Sequence, residues 1–139
     1  MDVTNKLYPT EGQTEALQSS SDMGEVHLLN LLKFKENAEY KDGRQTDLTG
    51  KQAYELYSKA VFKILEKYGA QAVFYSEVTE LVIGEVEDLW DSVLIVKYPS
   101  RQALFNMTSS PEFKEASVHR EAGLAGQLNI ETKVPNTKT

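Results

Sequence analysis

Hydrophobic and polar positions change period several times along the chain, and the changes mark out its elements. From Glu25 to Phe34, Val26, Leu28, Asn30, Leu32 and Phe34 fall on one side of an extended chain. His27, Leu29, Leu31 and Lys33 fall on the other. Apolar side chains on both sides predict a central strand covered on both faces. A polar run from Lys35 to Leu48 follows, with Asp42-Gly43 as a turn signal. It is long for a connection, which makes it either mobile or part of a site. Thr49-Gly50-Lys51-Gln52 has capping-box spacing and opens a helix that runs to Tyr68, with Gly69 at the position after its end. At helical period Ala53, Tyr57, Ala60, Val61, Ile64 and Tyr68 share one face, flanked by Tyr54, Leu56 and Leu65. Phe62 points the opposite way, as tolerated surface or as a subunit contact.

The stretch from Gln71 to Gly84 is rich in Val, Phe, Tyr and Ile and reads as a long strand, with a slip in alternation at Ser76–Glu77 that suggests a bulge. Glu85 to Leu89 connects it to a strand from Trp90 to Tyr98. There Trp90, Ser92, Leu94, Val96 and Tyr98 face one way and Asp91, Val93, Ile95 and Lys97 the other. Pro99 ends that strand. Ser100 caps a short helix to Thr108, and Ser110-Pro111 opens a further helix to Ala122. Gly123 and Gly126 frame a stop, and Leu128 to Lys133 reads as the last strand. At the N-terminus Thr10 and Gln13 form a second capping box, predicting a helix to Ser19 that must lean on the main domain. The division is an arm over 1–24, a domain over 25–133 and a frayed tail over 134–139.

The order β-α-β-β-α-β predicts an α+β, ferredoxin-like domain: a four-stranded antiparallel sheet with two helices on one face. The other face would be left wet in a monomer, so a homodimer with sheets face to face is expected. With 139 residues the chain suits one domain with its own core. It has no cysteine, which excludes disulfides, thiolate metal sites and a thiol nucleophile. A net charge of −6 argues against nucleic acid as a partner. No apolar run is long enough for a membrane span and the start has no signal-like segment, so a cytoplasmic protein is expected. His27 and His119 are too far apart in sequence to suggest a metal site, and no glycine-rich phosphate loop is present.

Three stretches occur together: Leu29-Asn30-Leu31-Leu32-Lys33-Phe34, then Trp90-Asp91 leading to Tyr98-Pro99-Ser100, and Ser110-Pro111-Glu112-Phe113 followed by His119-Arg120-Glu121-Ala122-Gly123-Leu124. With them the chain resembles domain-of-unknown-function family 1330, in the dimeric α+β barrel superfamily. Tyr8-Pro9-Thr10-Glu11 is similar to the leading arm of its longer members. The resemblance implies a small-molecule pocket between sheet and helices. Related families include cofactor-independent monooxygenases, muconolactone-isomerase-like enzymes and haem-binding enzymes. Such analogy selects no single function.

Among individual residues Asn30 stands out, because an amide in the middle of an apolar strand must find partners. It is either a pocket group that orients a ligand oxygen or a structural amide. His119 has Glu115 four residues back, which could orient its ring as a general base; the alternatives are a surface pair or an axial haem ligand. Arg120 could clamp a carboxylate or pair with an acidic residue of the fold. Tyr57, on the buried helix face, needs a partner for its hydroxyl. Trp90 could line a pocket or fill the core. The expectation is a homodimer binding a small carbonyl-bearing or aromatic molecule without a cofactor. Asn30 and Tyr57 would polarise an oxygen, His119 would move a proton, and Arg120 and Trp90 would hold the substrate. A non-catalytic binding or interaction dimer is the alternative.

Overall fold

Strand pairing is organised around the doubly apolar segment. The computed structural model describes residues 6–19 and 24–135. β1 (Val26–Phe34) and β3 (Ser92–Tyr98) are the two inner strands, and β2 (Gln71–Glu77) and β4 (Leu124–Thr132) the edges, in the order β2-β3-β1-β4 with every pair antiparallel. Helices α1 (Glu11–Ser19), α2 (Gly50–Lys67), α3 (Arg101–Thr108) and α4 (Pro111–Gly123) complete the described chain. The capping residues behave as their chemistry requires. Thr49 and Gln52 exchange side-chain and backbone bonds at the start of α2, and the Ser100 and Ser110 hydroxyls accept from Ala103 and Phe113.

Register assigns the faces. Val26, Leu28, Asn30 and Leu32 on β1 lie beside Tyr98, Val96, Leu94 and Ser92 on β3, and all eight are buried. With Tyr54, Tyr57, Val61, Ile64 and Leu65 of α2 they make the main core. The opposite face carries Leu29 between Ile95 and Ile130, and Leu31 between Val93 and Leu128, and none of these six side chains joins the core. Phe62 borders solvent, as its position on α2 requires, and so does Leu56, which falls outside the buried stripe.

Three strand boundaries differ from the sequence reading. β2 stops at Glu77 instead of Gly84, because its neighbour β3 begins only at Ser92 and leaves residues beyond Glu77 without a ladder. The aliphatic side chains that suggested a strand are bare, Val82 being 87% and Ile83 89% exposed. The bulge falls between Ala72 and Phe74 and not at Ser76–Glu77. β3 begins after Trp90 and Asp91. Asp91 closes the connection: its N–H donates to the Leu32 carbonyl, its carbonyl accepts from Val78, and its carboxylate accepts from the Phe34 N–H at 2.8 Å. β4 begins at Leu124, directly from α4, instead of at Leu128. Gly126 is a paired strand residue and not a breaker, and a bulge opposite Lys33/Phe34 leaves Ala125 as the extra residue.

The 35–48 connection is docked. Its Ala38 N–H donates to Leu48, and Glu39 donates to the Ala122 carbonyl at the end of α4. Ala38, Tyr40, Ala53 and Ala122 form a second small core. Of the tail, Val134 is exposed and residues 136–139 lie outside the described residues, as do 1–5 and 20–23 of the arm.

Two glycines set how closely α2 and α4 approach. A Cβ on Gly50 would fall 2.1 Å from the Lys35 carbonyl oxygen, and one on Gly123 would fall 2.4 Å from the Gly50 carbonyl oxygen. Backbone atoms cannot yield as a side-chain tip can. Gly123→Ala should therefore destabilise the fold by about 1–3 kcal/mol. The check is a lower urea midpoint at unchanged slope.

Candidate functional site

Asn30 sits 6% exposed on the helix side of β1. Its Nδ2 donates to the Leu94 carbonyl across the strand at 3.1 Å and to the Leu28 carbonyl at 3.3 Å. Those acceptors fix the amide's orientation and turn Oδ1 toward β4. There it accepts from Gln127 Nε2 at 2.6 Å. Gln127 Oε1 in turn accepts from Arg120 Nη2 at 2.5 Å, and the same nitrogen donates to the Leu7 carbonyl at 2.6 Å. Asn30, Gln127 and Arg120 thus form one chain of bonds from the centre of the sheet to α4 and the N-terminal arm. Alternation places Gln127 on this face, since Leu128 and Ile130 point to the other. A reading that starts β4 at Leu128 misses it.

Arg120 does not take the acidic partner that sequence reasoning offered: no described carboxylate lies within 4.0 Å of it. Its positive charge is felt by the hydroxyls of Tyr54 and Tyr57. Burial is the stronger influence on both. It pushes Tyr57 up to about 12 and Tyr54 higher still, with Arg120 acting in the opposite direction. Both phenols therefore keep their protons at neutral pH. Their rings form a connected row, Phe34 to Tyr54 at 5.4 Å, Tyr54 to Tyr57 at 5.2 Å and Tyr57 to Phe113 at 6.2 Å between centroids.

His119 belongs to a different contact set. It precedes Arg120 on α4, so the two side chains diverge by about 100°. Its Nδ1 is 2.7 Å from the Tyr40 hydroxyl, not oriented by Glu115, which is exposed. Arg44 stacks over the Tyr40 ring at 4.5 Å and pairs with Asp42 at 2.6 Å. Burial, with a smaller contribution from Arg44, holds the imidazole below the usual histidine range. Trp90 stands half-buried in the β2–β3 connection, outside the Asn30–Gln127–Arg120 chain. Among the described residues no three His, Asp or Glu side chains gather as a metal-ligand group, and no helix is long and apolar enough to cross a membrane.

The sheet order and helix placement define a ferredoxin-like α+β domain of the kind found in dimeric α+β barrels. The chain belongs to the DUF1330 family, a domain of unknown function, whose model matches residues 44–133. It is similar to RPA0582 of Rhodopseudomonas palustris, a protein of unknown function, over 96% of this chain and 100% of that one, at 28% identity and a TM-score of 0.86. The methylated form of RPA0582 matches at 31% identity and the same TM-score, covering 98% of this chain and 100% of that one. At 10% identity the fold alone is shared with two others. One is a dimeric ferredoxin-like protein of unknown function from Bacteroides fragilis, with a TM-score of 0.51 over 80% of this chain and 97% of that one. The second is SnoaB, a cofactor-independent oxygenase from Streptomyces nogalater, with a TM-score of 0.51 over 82% and 96%. No curated protein matches the sequence.

The His119 environment has a pH consequence. A histidine held below its unfolded value binds fewer protons folded than unfolded, so its contribution to stability is complete above about pH 6.5 and declines as pH falls toward the folded value. His119→Gln should flatten the fall in stability below pH 6.5. Urea midpoints of both proteins at pH 7.5 and 5.0 check this; equal falls would contradict it.

Proposed function

We propose that the protein is a homodimer that binds a small oxygen-bearing molecule, a carbonyl or aromatic compound, between sheet and helices. Tyr57 and Arg120 would be its polar contacts, with Asn30 and Gln127 orienting the guanidinium. The observation that carries this reading is the Asn30–Gln127–Arg120 chain, which brings a cation without a described acidic partner to the edge of an otherwise apolar interior. Donors dominate there: a guanidinium and phenols that stay protonated. Such a set suits holding an oxygen, and it would serve equally in oxidoreductase or isomerase chemistry without a cofactor, as in SnoaB's class. His119 is engaged with Tyr40, so a proton-moving role would require that contact to open. Binding is accordingly the better supported reading, with Trp90 a lining residue only if the β2–β3 connection reaches the ligand.

The half-exposed apolar face of the sheet supports the dimer. Leu29, Leu31, Val93, Ile95 and Leu128 are only half-buried, and Ile130 is 44% exposed. Pairing that surface with a second copy gains about 25 cal/mol per Å² of apolar area covered. Light scattering at micromolar concentration should give a particle of twice 15.6 kDa. Leu29→Glu, which places a charge at the centre of that face, should shift the population toward monomer. A wild-type monomer would contradict the dimer. For the site, Asn30→Ala should weaken uptake of small carbonyl compounds at least about tenfold, read by calorimetry alongside a circular dichroism check of folding.

A further inference from the structure

Arg120 offers more than a structural bond, and the stereochemistry of its guanidinium shows what it would take. A carboxylate docks on arginine in one of two bidentate ways, through Nε with Nη2 or through Nη1 with Nη2. Arg101 uses the first on Glu131, at 2.7 and 2.6 Å. Both modes require Nη2. In Arg120 both hydrogens of Nη2 are taken, one by Gln127 and one by the Leu7 carbonyl, while Nε and Nη1 bond to no described residue. The Leu7 oxygen lies at 2.6 Å, as far from Nη2 as the Glu131 oxygen lies from Nη2 of Arg101.

The segment that supplies this oxygen is lightly attached. Lys6 makes an isolated bridge to Gln127, the other partner of Nη2. Tyr8 is 50% exposed, its ring 5.7 Å from the Arg120 guanidinium, and its hydroxyl accepts from Lys41 at 3.4 Å. Leu7 packs on the core from a partly buried position. Leaving this place frees one edge of Arg120, and nothing acidic among the described residues competes for it.

We propose that Arg120 is the receptor for a small carboxylate ligand and that the Leu7 carbonyl holds the place of one ligand oxygen, so that binding displaces residues 6–10 from β4. This rests on the reading of the helix–sheet interior as a binding site and adds the ligand's charge and the segment that must move. The carboxylate bonds to Nη2 and to Nε or Nη1, Gln127 keeps its bond, and the apolar part of the ligand enters beside the tyrosine row.

The test uses the full chain with benzoate and its neutral isostere benzamide, followed by calorimetry and by hydrogen exchange of the peptide covering residues 6–17. Benzoate should bind at least about tenfold more tightly than benzamide, with faster exchange at residues 6–10 when bound. Arg120→Gln should bring the two affinities together. Tyr8→Ala, which loosens the competing segment at an exposed position, should tighten benzoate binding severalfold. Equal binding of acid and amide would overturn the carboxylate assignment while leaving a binding interior in place. Preferential benzoate binding with unchanged or slowed exchange at 6–10, or without gain in Tyr8→Ala, would overturn the displacement. Binding of neither probe would overturn both the inference and the interior reading beneath it.

Discussion

An inner strand that is apolar on both faces, β1, is the constraint on which the rest of the molecule depends. One face must be covered by the chain itself, and α2 and α4 do so only because Gly50 and Gly123 let their backbones meet. That close approach anchors the 35–48 connection against the end of α4, with Lys35 donating to the Gly123 carbonyl and Glu39 to Ala122. The same strand carries Asn30, so the core and the candidate site share one element. A site built on an inner strand is held more rigidly than one built on loops.

Placing an amide there has an energetic logic. A buried amide with an unmet donor or acceptor costs about 1–3 kcal/mol, and Asn30 meets both its functions through two backbone carbonyls and Gln127. An apolar residue of similar size would pack at this position without needing any of these partners. What the amide adds is direction. It turns Gln127, and Gln127 turns Arg120, so that a charge on α4 is oriented from the centre of the sheet. Networks of this kind are more specific than apolar packing and less forgiving of a missing member.

Much of this architecture is legible in the residues. Alternation in Val26–Phe34 and Ser92–Tyr98 predicts the correct faces, and the Thr49, Ser100 and Ser110 caps predict the helix starts, because each signal is local. Edge strands are harder to read. β-Branched composition at Val78–Gly84 resembles a strand, but a strand also needs a neighbour, and β3 does not extend that far. Gly126 looks like a breaker, yet at an edge its pairing with Lys33 needs no side chain. The site is partly visible for the same reason. Asn30 is conspicuous against its leucines, while Gln127, beside glycine in a mixed stretch, and Tyr40, in a polar one, are distinguished only by tertiary contact. Helical spacing pointed His119 toward Glu115, but a residue distant in sequence and better buried, Tyr40, takes the bond.

Adjacent residues on α4 therefore serve separate neighbourhoods, His119 the 35–48 connection and Arg120 the sheet and the N-terminal segment. The two meet again at the surface. Lys41, next to Tyr40, reaches Tyr8 and lies 3.4 Å from Glu121. Lys41 is mostly exposed, and exposed pairs of this kind contribute about 0–1 kcal/mol. They can bias the position of residues 6–10 without locking it. The stronger attachment is the bond to Arg120, a charged donor in a partly buried place. Free energies of local opening are lowest where few apolar contacts and exposed backbone bonds hold a segment, which describes residues 6–10 better than any strand of the sheet. A segment held chiefly by the group that would also receive a ligand is one whose position that ligand controls.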